Sequence, residues 1–147
     1  MKISFSPPDI TEQEAQEVTA ALLSGWITTG PRTKEFERQI ANFCESSVAV
    51  CQSSATACLE AILRILGIGP GDEVITSAYT YTATASPVCH VGAKLVLVDT
   101  SPDSYEMDYD QLAAAINEHT KVVIPVDIGG VPCDYTAISN VVESKRH

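Results

Sequence analysis

Short apolar runs alternate with helical segments from Val48 onward, and this alternation constrains the fold more than any other feature of the chain. The runs span residues 48–51, 73–76, 95–98 and 121–126. Apolar runs of this length predict strands that are covered on both faces, as in a parallel sheet. Strands that alternate with helices predict βαβ units. We therefore expect an α/β fold with a mostly parallel sheet flanked by helices.

Helix signals precede and separate these runs. Thr11 begins a capping-box pattern, and Gly25 closes the helix that follows it. Further helices are predicted from about residue 33, and over residues 55–66, 108–116 and 135–143. A short helix is also expected before the third run. It should begin close to Pro87, because proline is tolerated mainly in the first turn of a helix.

The charge balance excludes some classes of partner. Nineteen acidic residues stand against nine basic ones, for a formal net charge of −10. Nucleic acids and anionic membranes attract basic surfaces, so we expect neither as a partner. No segment resembles a signal peptide or approaches the roughly 20 apolar residues of a membrane span. We expect a cytoplasmic protein, and no residues have the spacing of a metal site.

Small hydroxyl residues lie where the first run passes into a helix. Ser53, Ser54, Ala55 and Thr56 follow the apolar run directly. The amides of a first helical turn are unpaired and can bind an anion, to which the Ser54 and Thr56 hydroxyls add donors. Ordinary helix capping by serine is the alternative. The anion in view is a phosphate, and neither of the Gly-rich nucleotide-binding motifs is present.

Aromatic side chains follow the second run. Tyr79 and Tyr81 come directly after a strand, as the turn at Ser54 does, so both should lie at the carboxyl edge of the sheet. Ligands of such sheets bind at this edge. An aromatic ring there could stack on a flat ring whose phosphate is held at residues 54–56. Ordinary packing of the tyrosines is the alternative. Together, the two features predict a site for a flat, phosphorylated cofactor.

A third candidate is the loop that contains the only tryptophan. Trp26 stands between Gly25 and the residues Ile27-Thr28-Thr29-Gly30-Pro31. Functional loops often have this composition. A hydrophobic plug between the first two helices is the alternative interpretation.

These segments, taken in order, resemble a known family. The resemblance is carried by SGWITTGP, SSAT, GIGPGDEVIT, YTYTATA, VGAKLVLVD and KVVIPVDIGGVPCDY. In order and spacing they are similar to the DegT/StrS-type sugar aminotransferases, which are fold-type-I enzymes dependent on pyridoxal 5′-phosphate (PLP). The resemblance covers essentially the whole chain. It implies an incomplete fold-type-I large domain, with residues 1–47 as an N-terminal helical segment and residues 48–147 as part of the cofactor-binding α/β domain.

The resemblance also implies a function and a set of site residues. Ser54, Ala55 and Thr56 match the segment that binds the cofactor phosphate, and Tyr81 matches the aromatic residue that stacks on the pyridine ring. The Trp26 loop matches a stretch close to the active site, which makes residues 26, 28 and 29 candidates for substrate binding. The family transfers an amino group, usually from glutamate, to a keto-sugar linked to a nucleotide. Its products feed surface polysaccharides, and its members are normally homodimers.

The chain departs from the family in its length. The lysine that holds PLP and the aspartate that pairs with the pyridine nitrogen match positions beyond His147, and neither Lys121 nor Lys145 has the matching context. We therefore assign no catalytic residue and expect the chain alone to be inactive. The resemblance further implies that the strand at residues 48–51 pairs with later strands, so here it should lack its partner. Asp127 stands where many members have histidine.

Three other interpretations remain open from the sequence. The first is a fragment of a family sugar dehydratase, in which histidine replaces the lysine. The second is a non-catalytic module that binds an anion or a partner subunit. The third is the product of a truncated gene.

Overall fold

The computed structural model describes residues 6–145 and divides into two compact units, Met1–Cys51 and Gln52–His147. The division follows Cys51, and the assignment of residues 1–47 as an N-terminal helical segment of the large domain stays a prediction.

From residue 6 onward, the first unit contains two helices, α1 (Glu12–Leu23) and α2 (Pro31–Phe43). The predicted capping box is present at the start of α1, where the Thr11 hydroxyl accepts the Gln13 amide at 3.2 Å and the Thr11 amide donates to the Glu14 carboxylate at 2.6 Å. Helix α2 begins at Pro31, slightly before the predicted start. Proline suits the first helical position because its missing N–H would be unpaired there in any case.

The predicted strand at residues 48–51 is wrong for this chain. The segment is assigned to no strand, and Val48 and Val50 are exposed. The Cys51 amide donates instead to the Glu37 carboxylate at 2.8 Å. A strand needs a ladder partner to satisfy its backbone groups, and apolar composition alone supplies none.

The second unit is built on a parallel sheet of three strands. They are β1 (Glu73–Ser77), β2 (Lys94–Val98) and β3 (Thr120–Ile124), in the order β2-β1-β3. Both neighbours pair with β1 in parallel, and all five residues of β1 are buried. The predicted fold class is therefore confirmed.

Helices cover both faces of this sheet. The second unit contains α3 (Ala55–Ile65), α4 (Thr82–His90), α5 (Tyr109–Ala115), α6 (Tyr135–Ser144) and a short 3₁₀ turn at Ile128–Gly130. On one face, α3 and α4 pack around a cluster formed by Leu63, Val74, Val88 and Ala93. On the other face, α5 and α6 pack around a cluster formed by Ile75, Val98, Met107, Leu112, Cys133 and Ile138.

Pro87 corrects a second expectation. It lies inside α4 rather than at its start, since the helix begins at Thr82. The Pro87 side chain is fully buried. Burial of its apolar ring offsets the backbone hydrogen bond that a proline in this position removes.

None of the helices within residues 6–145 has the length and apolar character that a membrane span requires.

Candidate functional site

Helices α3 and α4 both begin at the carboxyl edge of the sheet. Leu63 near the end of α3 and Val88 near the end of α4 pack in one cluster with Val74, which lies near the start of β1. Both helices therefore finish at the amino edge and run antiparallel to the strands. Their first residues face the edge where ligands of parallel sheets bind.

The two helix starts also lie at a similar level. Ser54 precedes Leu63 by nine residues and Tyr81 precedes Val88 by seven, so each start lies roughly 10–14 Å from the shared cluster at a rise of 1.5 Å per residue. Packed helices have axes about 8–10 Å apart. The predicted phosphate turn and the predicted stacking residue are thus brought to one end of the same helix pair.

Ser54 caps α3. Its hydroxyl oxygen accepts the Ala57 amide at 3.1 Å and its carbonyl accepts the Cys58 amide at 3.1 Å. The amides of Ala55 and Thr56 have no acceptor in the described part of the chain. Capping and anion binding are therefore compatible here, because the cap uses one N–H and leaves two free to face an anion.

Tyr81 is the residue before α4, and its side chain is 79% exposed. Its carbonyl accepts the Thr84 amide at 2.9 Å. The Thr80 and Thr84 hydroxyls bond to each other at 2.8 Å. The backbone at Tyr81 is fixed while the ring remains open to a ligand.

Two tyrosines that are far apart in the sequence are in contact beside this site. The rings of Tyr79 and Tyr105 are stacked, with centroids 5.2 Å apart and planes inclined by 26°. Tyr79 follows β1 and Tyr105 lies in the loop after β2, so the stack joins the exits of two neighbouring strands. Sequence reasoning found Tyr79 as part of an aromatic motif but missed Tyr105, because their contact depends on the pairing of the strands.

A cleft of about 510 Å³ opens next to Tyr105. It is lined by Pro102, Asp103, Ser104, Tyr105, Glu106, Val126, Ile128, Val131, Pro132 and Cys133. These residues belong to the loops that leave β2 and β3, so the cleft lies at the carboxyl edge as well.

Asp127 has a structural role beside the cleft. Its carboxylate accepts the Cys133 amide at 2.9 Å and the Tyr135 hydroxyl at 2.9 and 3.1 Å. The bond from the Cys133 amide, followed by the bond from Tyr135, lowers the pKa of Asp127. These contacts hold the loop between β3 and α6.

Lys94 and Lys121 lie away from the site. Lys94 is the first residue of β2 and donates to Glu73, the first residue of β1, at 2.6 Å. Lys121 lies near the start of β3 and donates to the Glu118 carbonyl at 3.1 Å. Five-residue strands span about 13 Å, so these amines lie at the opposite edge of the sheet from the Ser54 turn.

The tryptophan loop belongs to the first unit. The Trp26 indole N–H donates to the Thr29 carbonyl at 3.0 Å, and the side chain is 57% exposed. A side chain at Gly30 would overlap the indole ring. The loop is therefore closed by its own residues, and its predicted role in substrate binding stays a prediction for positions 26, 28 and 29.

Comparisons with known proteins match most of the chain. A sequence model of the DegT/DnrJ/EryC1/StrS aminotransferase family matches residues 8–146. The spore coat polysaccharide biosynthesis protein SpsC of Bacillus subtilis is 42% identical over 142 residues, which are 97% of this chain and 36% of SpsC. The matched relatives thus extend well beyond the part that this chain shares.

Solved structures agree with this result. Spr1654 of Streptococcus pneumoniae, named as a sugar aminotransferase, is 57% identical in its PMP (pyridoxamine 5′-phosphate) form, with a TM-score of 0.95 over 99% of this chain and 36% of that one. Its PLP form gives 56% identity and a TM-score of 0.94 over 98% of this chain and 37% of that one. An Escherichia coli GDP-4-keto-6-deoxy-D-mannose-3-dehydratase shares the fold, with 24% identity and a TM-score of 0.87 over 94% of this chain and 37% of that one.

Proposed function

Since the chain belongs to the DegT/DnrJ/EryC1/StrS aminotransferase family, we propose that it is the N-terminal part of a PLP-dependent aminotransferase that acts on nucleotide-linked keto-sugars. The main support for the proposal is the set of groups at the N-terminal ends of α3 and α4. There, the free amides of Ala55 and Thr56 and the exposed ring of Tyr81 lie at the carboxyl edge of a parallel sheet.

Each of these residues has a defined part in binding PLP. The Ala55 and Thr56 amides donate to the phosphate at the positive end of the α3 dipole. The hydroxyls of Ser54 and Thr56 add donors without disturbing the cap, since the Ser54 oxygen accepts from Ala57 while its proton remains available. Tyr81 stacks on the pyridine ring. When bound, PLP supplies the electron sink for amino-group transfer.

We further propose that this chain does not transaminate by itself. An amine must reach the cofactor aldehyde, and Lys94 and Lys121 are bonded at the amino edge of the sheet. The site would hold the phosphate and the ring but would lack that amine. We expect the lysine in the part of the relatives' sequence that this chain does not cover.

The substrate and the assembly belong to the same proposal. The name of SpsC refers to polysaccharide biosynthesis, which supports amino-sugar production for a surface polysaccharide. Residues Trp26, Thr28 and Thr29 would contact the nucleotide-sugar, and the active enzyme would be a cytoplasmic homodimer. The second candidate function is that of a sugar dehydratase of the same family. It is retained because the Escherichia coli dehydratase has the same fold.

Titration with PMP tests the cofactor site. PMP has no aldehyde, so it cannot attach to surface lysines and reports only the phosphate and ring contacts. We expect saturable binding of PMP to the 147-residue chain in a fluorescence titration, and much weaker binding of pyridoxamine, which lacks the phosphate. Equal affinity for the two ligands, or no binding of PMP, would contradict the proposal.

A further inference from the structure

The loop between β1 and α4 carries Tyr81, and both of its ends are fixed. At its start, the Ala78 amide donates to the Val98 carbonyl at 2.7 Å, which extends the β1–β2 pairing by one residue. At its end, the Thr84 amide donates to the Tyr81 carbonyl and the Thr80 hydroxyl bonds to Thr84. These bonds fix the backbone on either side of Tyr79.

The ring of Tyr79 connects this loop to the loop that follows β2. Its amide donates to the buried Ser77 hydroxyl at 3.2 Å, and its ring stacks on Tyr105 at 5.2 Å. Tyr81 is too exposed for packing to fix its own ring. The orientation of Tyr81 therefore depends on the backbone of this loop, to which the stack of Tyr79 on Tyr105 adds a further restraint.

Tyr105 is presented by a tightly closed loop. The Ser101 amide donates to the Glu106 carbonyl at 2.9 Å, and the Glu106 amide donates to the Ser104 hydroxyl at 3.0 Å. Thr100 pairs with Met107, which is 1% exposed and belongs to the core. The loop thus ties the backbone on either side of Tyr105 to the core. The Tyr105 side chain itself is 67% exposed, and its ring stacks on that of Tyr79.

We propose that Tyr105 is a positioning residue for the cofactor ring: through its stack on Tyr79 it fixes the loop that presents Tyr81. The inference rests on the proposed function, because it assigns a second layer of support to the same site. In this proposal Tyr105 acts on the cofactor ring only through other residues. Its effect passes through the Tyr79 ring and the backbone of residues 79–81.

The test compares the variants Y105A and Y105F in the 147-residue chain, with PMP as the probe. An aromatic stack is worth about a two- to tenfold change in an equilibrium constant. We expect Y105A to weaken PMP binding by about that factor and to speed amide hydrogen exchange at residues 79–82. We expect Y105F, which keeps the ring, to match the original chain in both measurements.

Two results would overturn the inference. One is that Y105A leaves both the amide exchange at residues 79–82 and the affinity for PMP unchanged. The other is that Y105F binds PMP as weakly as Y105A does. Failure of the proposed function is separable from these results: if the original chain binds no PMP, the site assignment is wrong. Loop exchange in Y105A would then decide by itself whether Tyr105 fixes the loop.

Discussion

Glu73 and Lys94 begin two neighbouring strands and are joined by a 2.6 Å hydrogen bond at the amino edge of the sheet. Glu73 is only 7% exposed, and its second oxygen accepts the Asn117 side-chain amide at 2.8 Å. Asn117 lies just before β3. One carboxylate therefore ties the starts of all three strands, at the edge opposite to the candidate cofactor site.

The first prediction concerns the pH dependence of this tie. The Lys94 bond, followed by the Asn117 bond, lowers the pKa of Glu73. Because the pKa is lower in the folded state, the ionised carboxylate stabilises the fold above the unfolded-state pKa, and this contribution is lost as the pH falls through the folded-state value. E73Q should lower the urea midpoint at pH 7, and its difference from the original chain should shrink towards zero in acid.

The matched control is E118Q, which removes an exposed carboxylate near the same edge. It should leave the urea midpoint nearly unchanged at pH 7. An E73Q difference that is independent of pH would argue against an ionised tie.

The second prediction concerns the packing of α3 on the sheet. Leu63 is 1% exposed and contacts the cluster with Val74 and Val88, whereas its neighbour Ile62 is 51% exposed. L63A should cost about 2–5 kcal/mol of unfolding free energy because it opens a cavity. I62A should cost about 1 kcal/mol or less, helped by the higher helix propensity of alanine. Chemical denaturation of both variants decides, and equal losses would contradict this account of the core.

The third prediction uses the only tryptophan as a probe. A methyl group at position 30 would overlap the indole of Trp26, so G30A should displace the ring and break its bond to the Thr29 carbonyl. We expect a red shift of the tryptophan emission in G30A. G69A is the control, since a methyl group at Gly69 meets only the Val91 carbonyl, at 3.8 Å. An unshifted G30A spectrum would show that the loop does not depend on this close contact.

The fourth prediction concerns Asp127. Its pKa is lowered first by the Cys133 amide and then by the Tyr135 hydroxyl. Y135F should raise the pKa of Asp127 only partway towards its usual value, because the Cys133 bond remains. Carboxyl ¹³C NMR measures this shift directly, with Y79F as the control that should not move it. Since the folded-state pKa is depressed, the stability that Asp127 provides is lost as the pH falls through that pKa. An unperturbed Asp127 in the original chain would contradict the contacts described here.

Local signals in the sequence predict much of this structure. Thr11 and Glu14 place the start of α1 because a capping box is decided within four residues. The apolar runs that form β1, β2 and β3 are recognisable because both faces of the sheet are covered. Helix α3 begins after Ser54, as the small residues there indicate.

Features that depend on distant partners are not predictable in this way. Residues 48–51 have the composition of a strand but pair with no other strand within residues 6–145. Composition alone cannot distinguish a paired apolar segment from an unpaired one. The stack of Tyr79 on Tyr105 exists only because β1 and β2 are neighbours. The bond from Tyr135 to Asp127 likewise depends on how α6 returns after β3. The position of Pro87 inside α4 depends on the burial of its ring.

The central claim is that the turn at Ser54 is a phosphate site as well as a helix cap, and substitution of Ser54 separates the two roles. Aspartate is a strong cap, and its negative charge suits a helix start, so S54D should unfold at or above the midpoint of the original chain. S54A should lose about 1 kcal/mol of unfolding free energy with the cap.

The most direct measurement is the Kd of PMP for S54D against the original chain, with the unfolding midpoint measured on the same samples. A carboxylate at this position repels the phosphate, so we predict that PMP binds S54D at least about tenfold more weakly although the fold is fully stable. An unchanged Kd for PMP in stable S54D would contradict the claim that this turn holds the cofactor phosphate.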